Sequence, residues 1–302
     1  MLSDKRWKLD ALMRLLVRVF VCIFAGSVLV SALQVVRGGG KISFWFFPLA
    51  IAALACLGMT LVIIRKPWVL ENFVRRMVLL LIFFYAGFFL CAYAQKLAGP
   101  PHHSVVQMLV ATLSFQGAAL VLVGHFLREQ NLGWAEAFGL KHLPLHALLI
   151  GIIVACVFFV PGRQLQKLSS IVMERVTRKP AQEQQAVQTM RGAASWVQRA
   201  FLAVVTILLA PVAEEILFRG ILYQGIKQAG FPRIALWGTS LLFAGVHMNL
   251  PTFLPLFILA LVLAMVYERT NNLLAPITAH SFFNALNFVI FFLEQLAGPG
   301  SS

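Results

Sequence analysis

Long apolar stretches constrain the fold of this chain more than any other feature of its sequence. About nine of them approach the roughly 20 residues that a helix needs to cross the ~30 Å hydrocarbon core of a bilayer. Hydrophobic residues make up 60% of the 302 positions and charged residues 12%, with a mean hydropathy of +0.84, which excludes an ordinary soluble domain. We therefore predict an all-α, polytopic membrane helical bundle of roughly eight to nine transmembrane helices, located in the cell membrane as a multi-pass protein. The stretches have approximate limits of 12–36, 43–64, 76–95, 105–126, 144–161, 200–226, 233–248, 252–268 and 274–294.

The net charge of +14 arises from basic residues that cluster at the ends of these stretches. Positive-inside bias explains this distribution better than nucleic-acid binding does, so we expect membrane lipid as a partner and no nucleic acid. The exception is the basic segment 162–196, which falls on the opposite side from the other basic loops if all nine stretches cross. Either the count is then off by one, or this segment partly re-enters the membrane.

Acidic residues divide the chain into parts. The stretches up to about residue 140 contain essentially no intramembrane acid, so we interpret 1–140 as an N-terminal accessory bundle, 141–295 as the core that carries chemistry and 296–302 as a tail. The polar segment 161–195 precedes the stretch with the intramembrane acids. The near-helical spacing of apolar residues in its first part predicts an amphipathic helix at the surface, which serves as a solvated connector or as a gate for substrate.

Three charged side chains lie within the otherwise apolar segment 201–222. A charge at mid-membrane costs on the order of 2.5–3.5 kcal/mol on insertion scales, so such groups are paired, neutralised or functional. Glu215 and Arg219 have the i, i+4 spacing of an ion pair along one helix face, and we assign them a supporting role. Glu214 points about 100° away from Glu215 and is the free carboxylate, which suits it to general-base catalysis.

Two further stretches each contribute a histidine. His247 follows Phe243 by one helical turn, and Asn284 follows His280 by the same distance. Glu214 with His247 could activate a water molecule, while His280 and Asn284 could stabilise an oxyanion. Alternatively, Glu214, His247 and His280 could bind zinc with water in the open position. The spacing is not that of an HExxH motif, so the sequence does not compel a metal.

The order of three blocks, EEILFR at 214–219, FAGVH at 243–247 and HSFFN at 280–284, resembles the motifs of the CAAX protease and bacteriocin-processing family of intramembrane endopeptidases. The resemblance, to the type II CAAX prenyl endopeptidase-like members, extends from about 195 to 290. It implies a hydrolase that cleaves peptides or lipidated proteins at the membrane, by a zinc-dependent or a metal-independent glutamate mechanism. It further implies a water activator, its partner and two oxyanion stabilisers, in the order Glu214, His247, His280 and Asn284.

Two other functions are compatible with intramembrane charges. A proton-coupled transporter commonly shows internal repeats, whereas here the polar groups lie in one half of the chain. A non-catalytic bacteriocin-immunity or scaffold protein could keep the same residues without turnover. The asymmetry favours the peptidase.

Overall fold

A computed structural model of the protein describes residues 7–37, 44–65, 70–98, 105–178, 180–181, 183–193 and 195–297. The described residues form helices and connecting turns without any β-strand, which confirms the all-α prediction. Of the predicted tail 296–302, residues 298–302 lie outside the described part. Eight described helices are long and apolar enough to cross a membrane, so the chain is a multi-pass membrane protein. They are Asp10–Val36, Phe46–Arg65, Val74–Ala98, Val105–Glu129, Pro144–Thr177, Trp196–Gln228, Leu250–Thr270 and Leu274–Gln295.

One of the nine predicted stretches, 233–248, is not among these eight. It forms a helix, Pro232–Val246, of only 15 residues. At 1.5 Å per residue this helix is about 22 Å long, which is shorter than the ~30 Å hydrocarbon core. The eight long apolar helices among the described residues confirm the prediction of roughly eight to nine.

The chain divides into two compact units, of which the first is Trp7–Gln130. Its first three helices share a core in which Phe46, Ala53 and Leu57 are fully buried. A π-helical turn, Leu113–Gly117, separates its last two helices. The helices are α1 Leu9–Arg37, α2 Phe46–Arg65, α3 Leu70–Ala98, α4 Val105–Thr112 and α5 Ala118–Glu129.

The second unit contains the described residues from Asn131 onward. Its helices are α6 Trp134–Ala137, α7 Pro144–Thr177, α8 Gln185–Arg191, α9 Trp196–Val204, α10 Ala210–Glu215, α11 Gln224–Gln228, α12 Pro232–Val246, α13 Leu250–Thr270 and α14 Leu274–Ala297. Two π-helical turns, Val205–Leu209 and Ile216–Tyr223, join α9, α10 and α11 into one continuous span.

Helix α7 corrects the prediction of a separate amphipathic helix at the start of segment 161–195. It continues through Pro161 and ends at Thr177, a length of 34 residues. An interior proline removes one backbone hydrogen bond but does not always end a helix whose other contacts hold it in place. Residues 161–177 are helical as predicted, but they are the second half of a long helix rather than an independent surface helix.

Close packing of α7 against α13 and α14 builds the frame around the candidate site. At Gly151 a Cβ atom would lie 2.6 Å from the carbonyl oxygen of Ala275, so only glycine permits this approach of α7 to α14. Near the same helix ends, the Leu273 amide donates to the Phe138 carbonyl at 3.0 Å. The Asn272 side chain also donates to the His142 carbonyl at 2.6 Å. These contacts hold the turn that precedes α14, the helix that contains His280.

Candidate functional site

The span that carries the two glutamates departs from regular α-helix on both sides of them. The π-helical turn Val205–Leu209 precedes α10, which has Pro211 in its first turn, and the π-helical turn Ile216–Tyr223 follows Glu215. Each π turn accommodates an extra residue per turn, and such turns occur frequently at functional sites. They set the direction in which the side chains of α10 point.

Glu215 and Arg219 form the buried ion pair that their spacing predicts. Arg219 Nη1 lies 2.7 Å from Glu215 Oε1, and the two side chains are 2% and 0% exposed. Arg219 also donates to the Ala260 carbonyl at 3.0 Å, and its guanidinium carbon lies 4.6 Å from the centre of the Phe243 ring. Burying a charge pair is costly unless further bonds satisfy both groups, and these contacts provide them for the arginine.

His280 is linked directly to this ion pair. Its Nδ1 lies 3.0 Å from Glu215 Oε1, so one carboxylate oxygen contacts both the imidazole and the guanidinium. Because a carboxylate accepts, the contact implies that Nδ1 carries a proton, which leaves Nε2 for the site. The result is a buried chain of three ionisable side chains contributed by two helices, in the order Arg219, Glu215 and His280.

Glu214 lies beside this chain with a less enclosed carboxylate. Its Oε2 is 3.9 Å from His280 Nε2, and its side chain is 15% exposed. That separation is too long for a direct hydrogen bond, so the carboxylate remains able to bind another group between the two. Glu214 therefore occupies the position expected of the free carboxylate.

His247 lies just past the end of α12, where it caps the helix. Its Nδ1 donates to the Phe243 carbonyl at 2.7 Å, which leaves Nε2 as its other polar atom. The fully buried Phe243 ring packs against both histidines, with its centroid 4.9 Å from that of His247 and 5.8 Å from that of His280. Phe243 thus packs both imidazoles and the guanidinium of Arg219.

Asn284 is held by a contact that the sequence did not predict. Its side-chain amide donates to the backbone carbonyl of Thr206 at 2.9 Å. Thr206 lies in the π-helical turn Val205–Leu209. The amide has two N–H groups, so one can hold this position while the other serves the site. The roles of the Ala260 and Thr206 carbonyls could not be predicted from the sequence, because every residue has a backbone carbonyl.

Glu214, His247 and His280 are the residues predicted to bind zinc. Within the described part of the chain, no group of three or more His, Cys, Asp or Glu side chains is placed to hold a metal ion. The Nδ1 atoms of His247 and His280 contact the Phe243 carbonyl and Glu215, respectively, which leaves their Nε2 atoms as the nitrogens that could bind a metal. Zinc binding by Glu214, His247 and His280 stays a prediction.

Comparison with known proteins identifies the segment that contains the candidate site. The family model described as Type II CAAX prenyl endopeptidase Rce1-like matches residues 196–286, which include every predicted site residue. This match confirms the resemblance inferred from the three motifs. The chain is also 39% identical over 83 residues to the Uncharacterized protein YpbD of Bacillus subtilis (strain 168). That similarity covers 26% of this chain and spans 40% of the length of the relative. No solved structure matches the chain.

Proposed function

We propose that this protein is an intramembrane endopeptidase of the CAAX-protease type, which hydrolyses a peptide bond of a membrane-associated peptide or lipidated protein. The observation that carries the proposal is the buried chain of Arg219, Glu215 and His280 with the Glu214 carboxylate 3.9 Å from the same imidazole. A helical bundle gains little stability from such charges, whereas hydrolysis requires a base and prearranged donors. The family match over 196–286 supports it independently.

In the proposed mechanism Glu214 acts as general base. It takes a proton from a water molecule as the water oxygen forms a bond to the carbonyl carbon of the substrate. His247 orients that water through Nε2, because its Nδ1 is held by the Phe243 carbonyl. When the tetrahedral intermediate collapses, the carbon–nitrogen bond breaks and Glu214 returns the proton to the leaving amine.

His280 and Asn284 stabilise the oxyanion of that intermediate. Glu215 holds the Nδ1–H of His280. In the proposed mechanism the ring has also taken a proton from solvent on Nε2 before the reaction starts, and it donates this Nε2–H to the oxyanion without transferring the proton. Asn284 donates through the N–H that is not bonded to the Thr206 carbonyl. One such donor is worth about 2.7–4 kcal/mol of transition-state stabilisation.

The test is cleavage by the purified protein in detergent. The substrates are a panel of prenylated and unprenylated peptides, and the variants are Glu214→Gln and His280→Ala. Both variants should lose cleavage by at least about 100-fold. A matched control is Glu136→Gln, which makes the same change at an exposed acid of the same unit.

Three outcomes carry different conclusions. Full activity in Glu214→Gln would overturn the role of the base. Absence of cleavage by folded wild-type protein on every peptide would refute the peptidase and favour a scaffold or immunity function. A zinc chelator added to the wild-type reaction tests the predicted metal, because a metal-independent mechanism leaves the rate unchanged.

A further inference from the structure

Two buried polar side chains face each other near the end of the span that carries the glutamates. Gln224 begins α11 and is 6% exposed, while Tyr267 lies on α13 and is 0% exposed. The Gln224 amide lies against the Tyr267 hydroxyl. Neither Gln224 Nε2 nor the Tyr267 hydroxyl oxygen, however, has a partner at hydrogen-bonding geometry among the described residues. Buried polar atoms in folded proteins nearly always have such a partner, so this pair needs a ligand that supplies one.

The residues next to this pair in the sequence form a polar cluster at the helix end. Tyr223 donates to Glu268 Oε1 at 2.7 Å, and the Lys227 ammonium contacts the same oxygen. The side chains of Lys227 and Glu268 are 38% and 35% exposed. Both contacts use Oε1, so Oε2 of this half-exposed carboxylate is left to accept from water.

The buried ion pair of the candidate site lies on the other side of Gln224 and Tyr267. Hydrogen bonds of a π-helix join residues five apart, so Gln224 follows Arg219 by one turn of its span. On α13, Tyr267 lies two turns after Ala260, whose carbonyl accepts from Arg219. Gln224 and Tyr267 therefore occupy the level between the ion pair and the half-exposed cluster.

We infer that Gln224 and Tyr267 bind a buried water molecule, which reaches them from the helix end that carries Lys227 and Glu268. Water accepts from the Gln224 N–H and the Tyr267 O–H, and it has two hydrogens of its own to donate. Buried waters typically make about three such hydrogen bonds. A metal cation cannot bind the Nε2 donor, and the carboxylate of Glu268, next to Tyr267 in the chain, repels an anion. Water is thus the ligand that matches the pair.

Radiolytic labelling tests the inference on the whole protein in detergent micelles and needs no substrate. An X-ray pulse converts water into hydroxyl radicals, which oxidise the side chains that contact this water, and mass spectrometry gives the rate for each residue. Phe138 is the internal reference, because it is an aromatic side chain of the same unit and is 1% exposed. Tyr267 should be oxidised several times faster than Phe138, although its own exposure is 0%.

A pair of matched variants tests whether the Gln224 amide holds the water. Gln224→Met keeps an unbranched side chain but removes the amide, so the oxidation rate of Tyr267 should fall to that of Phe138. Gln188→Met makes the same change at an exposed amide of the same unit and should leave the rate unchanged. Faster oxidation of Phe138 identifies a variant that has lost its packing, and the ratio of the two rates in the wild type decides the inference without any variant.

The entry route is tested by mixing the protein rapidly with water that contains heavy oxygen, just before the pulse. The heavy oxygen added to Tyr267 then measures how fast bulk water replaces the bound molecule. Glu268→Leu removes the polar entry and should slow this replacement, whereas Glu136→Leu, at an exposed acid of the same unit, should not. Tyr267 oxidation no faster than that of Phe138, or unchanged by Gln224→Met, overturns the water site. An unchanged replacement rate in Glu268→Leu overturns the entry route.

Discussion

Replacing Arg219 by methionine should destabilise the protein severely, because it leaves the Glu215 carboxylate buried without its cation. The substitution removes the 2.7 Å ion pair, the 3.0 Å bond to the Ala260 carbonyl and the stacking on Phe243. Breaking a buried pair by deleting one partner costs about 3–5 kcal/mol. Denaturant unfolding in detergent micelles, followed by circular dichroism, measures this loss as a change in the free energy of unfolding.

The Lys227–Glu268 pair provides a matched control, since it also joins a lysine or arginine to a glutamate within the same unit. Its side chains are 38% and 35% exposed, so Lys227→Met should cost about 1 kcal/mol or less. In a double-mutant cycle, Glu215→Leu combined with Arg219→Met should be more stable than either single variant. The reasoning is refuted if Arg219→Met costs no more than Lys227→Met, or if the two losses simply add.

Substitutions at four further positions have definite expected results. Gly151→Val forces α7 away from the Ala275 carbonyl and should clearly lower the melting temperature. At Gly58 an added Cβ meets no atom within 4 Å, so Gly58→Ala should be neutral or should stabilise the protein by up to about 1 kcal/mol. Asn271 has a φ of 49° at the end of α13, so Asn271→Ala should lose about 1 kcal/mol in a thermal melt and Asn271→Gly should not. Asn284→Ala should reduce kcat about 100-fold or more with a smaller change in KM, measured by steady-state cleavage.

Local spacing was enough to predict the elements of the site, but not how they are joined. The ion pair between Glu215 and Arg219 follows from their i, i+4 spacing, because one helix brings them together. The contact of His280 with Glu215 joins residues that are 65 positions apart. It depends on how α14 packs against α10, and a single sequence contains no direct record of that packing.

Backbone irregularities explain the other differences between the predicted and the observed structure. Apolar periodicity cannot distinguish an α-helical turn from a π-helical one, so Val205–Leu209 and Ile216–Tyr223 were not predicted. The same limit applies at Pro161, where the composition becomes polar although the helix continues to Thr177. The pattern of apolar residues indicates which residues share an environment, whereas the path of the backbone depends on tertiary contacts.

The buried charges of Arg219 and Glu215 also predict a separation of stability from activity. Well-packed apolar residues commonly replace a buried ion pair with little loss of stability, so the double variant Glu215→Leu with Arg219→Met should still fold. It lacks the oxygen that holds Nδ1 of His280 at 3.0 Å, and the imidazole is then free to turn. Misplacing a catalytic group by about 1 Å can cost roughly 100-fold in rate, so this folded variant should cleave about 100 times more slowly than the wild type. If its cleavage rate instead equals that of the wild type, the ion pair contributes only to folding and His280 needs no partner to position it.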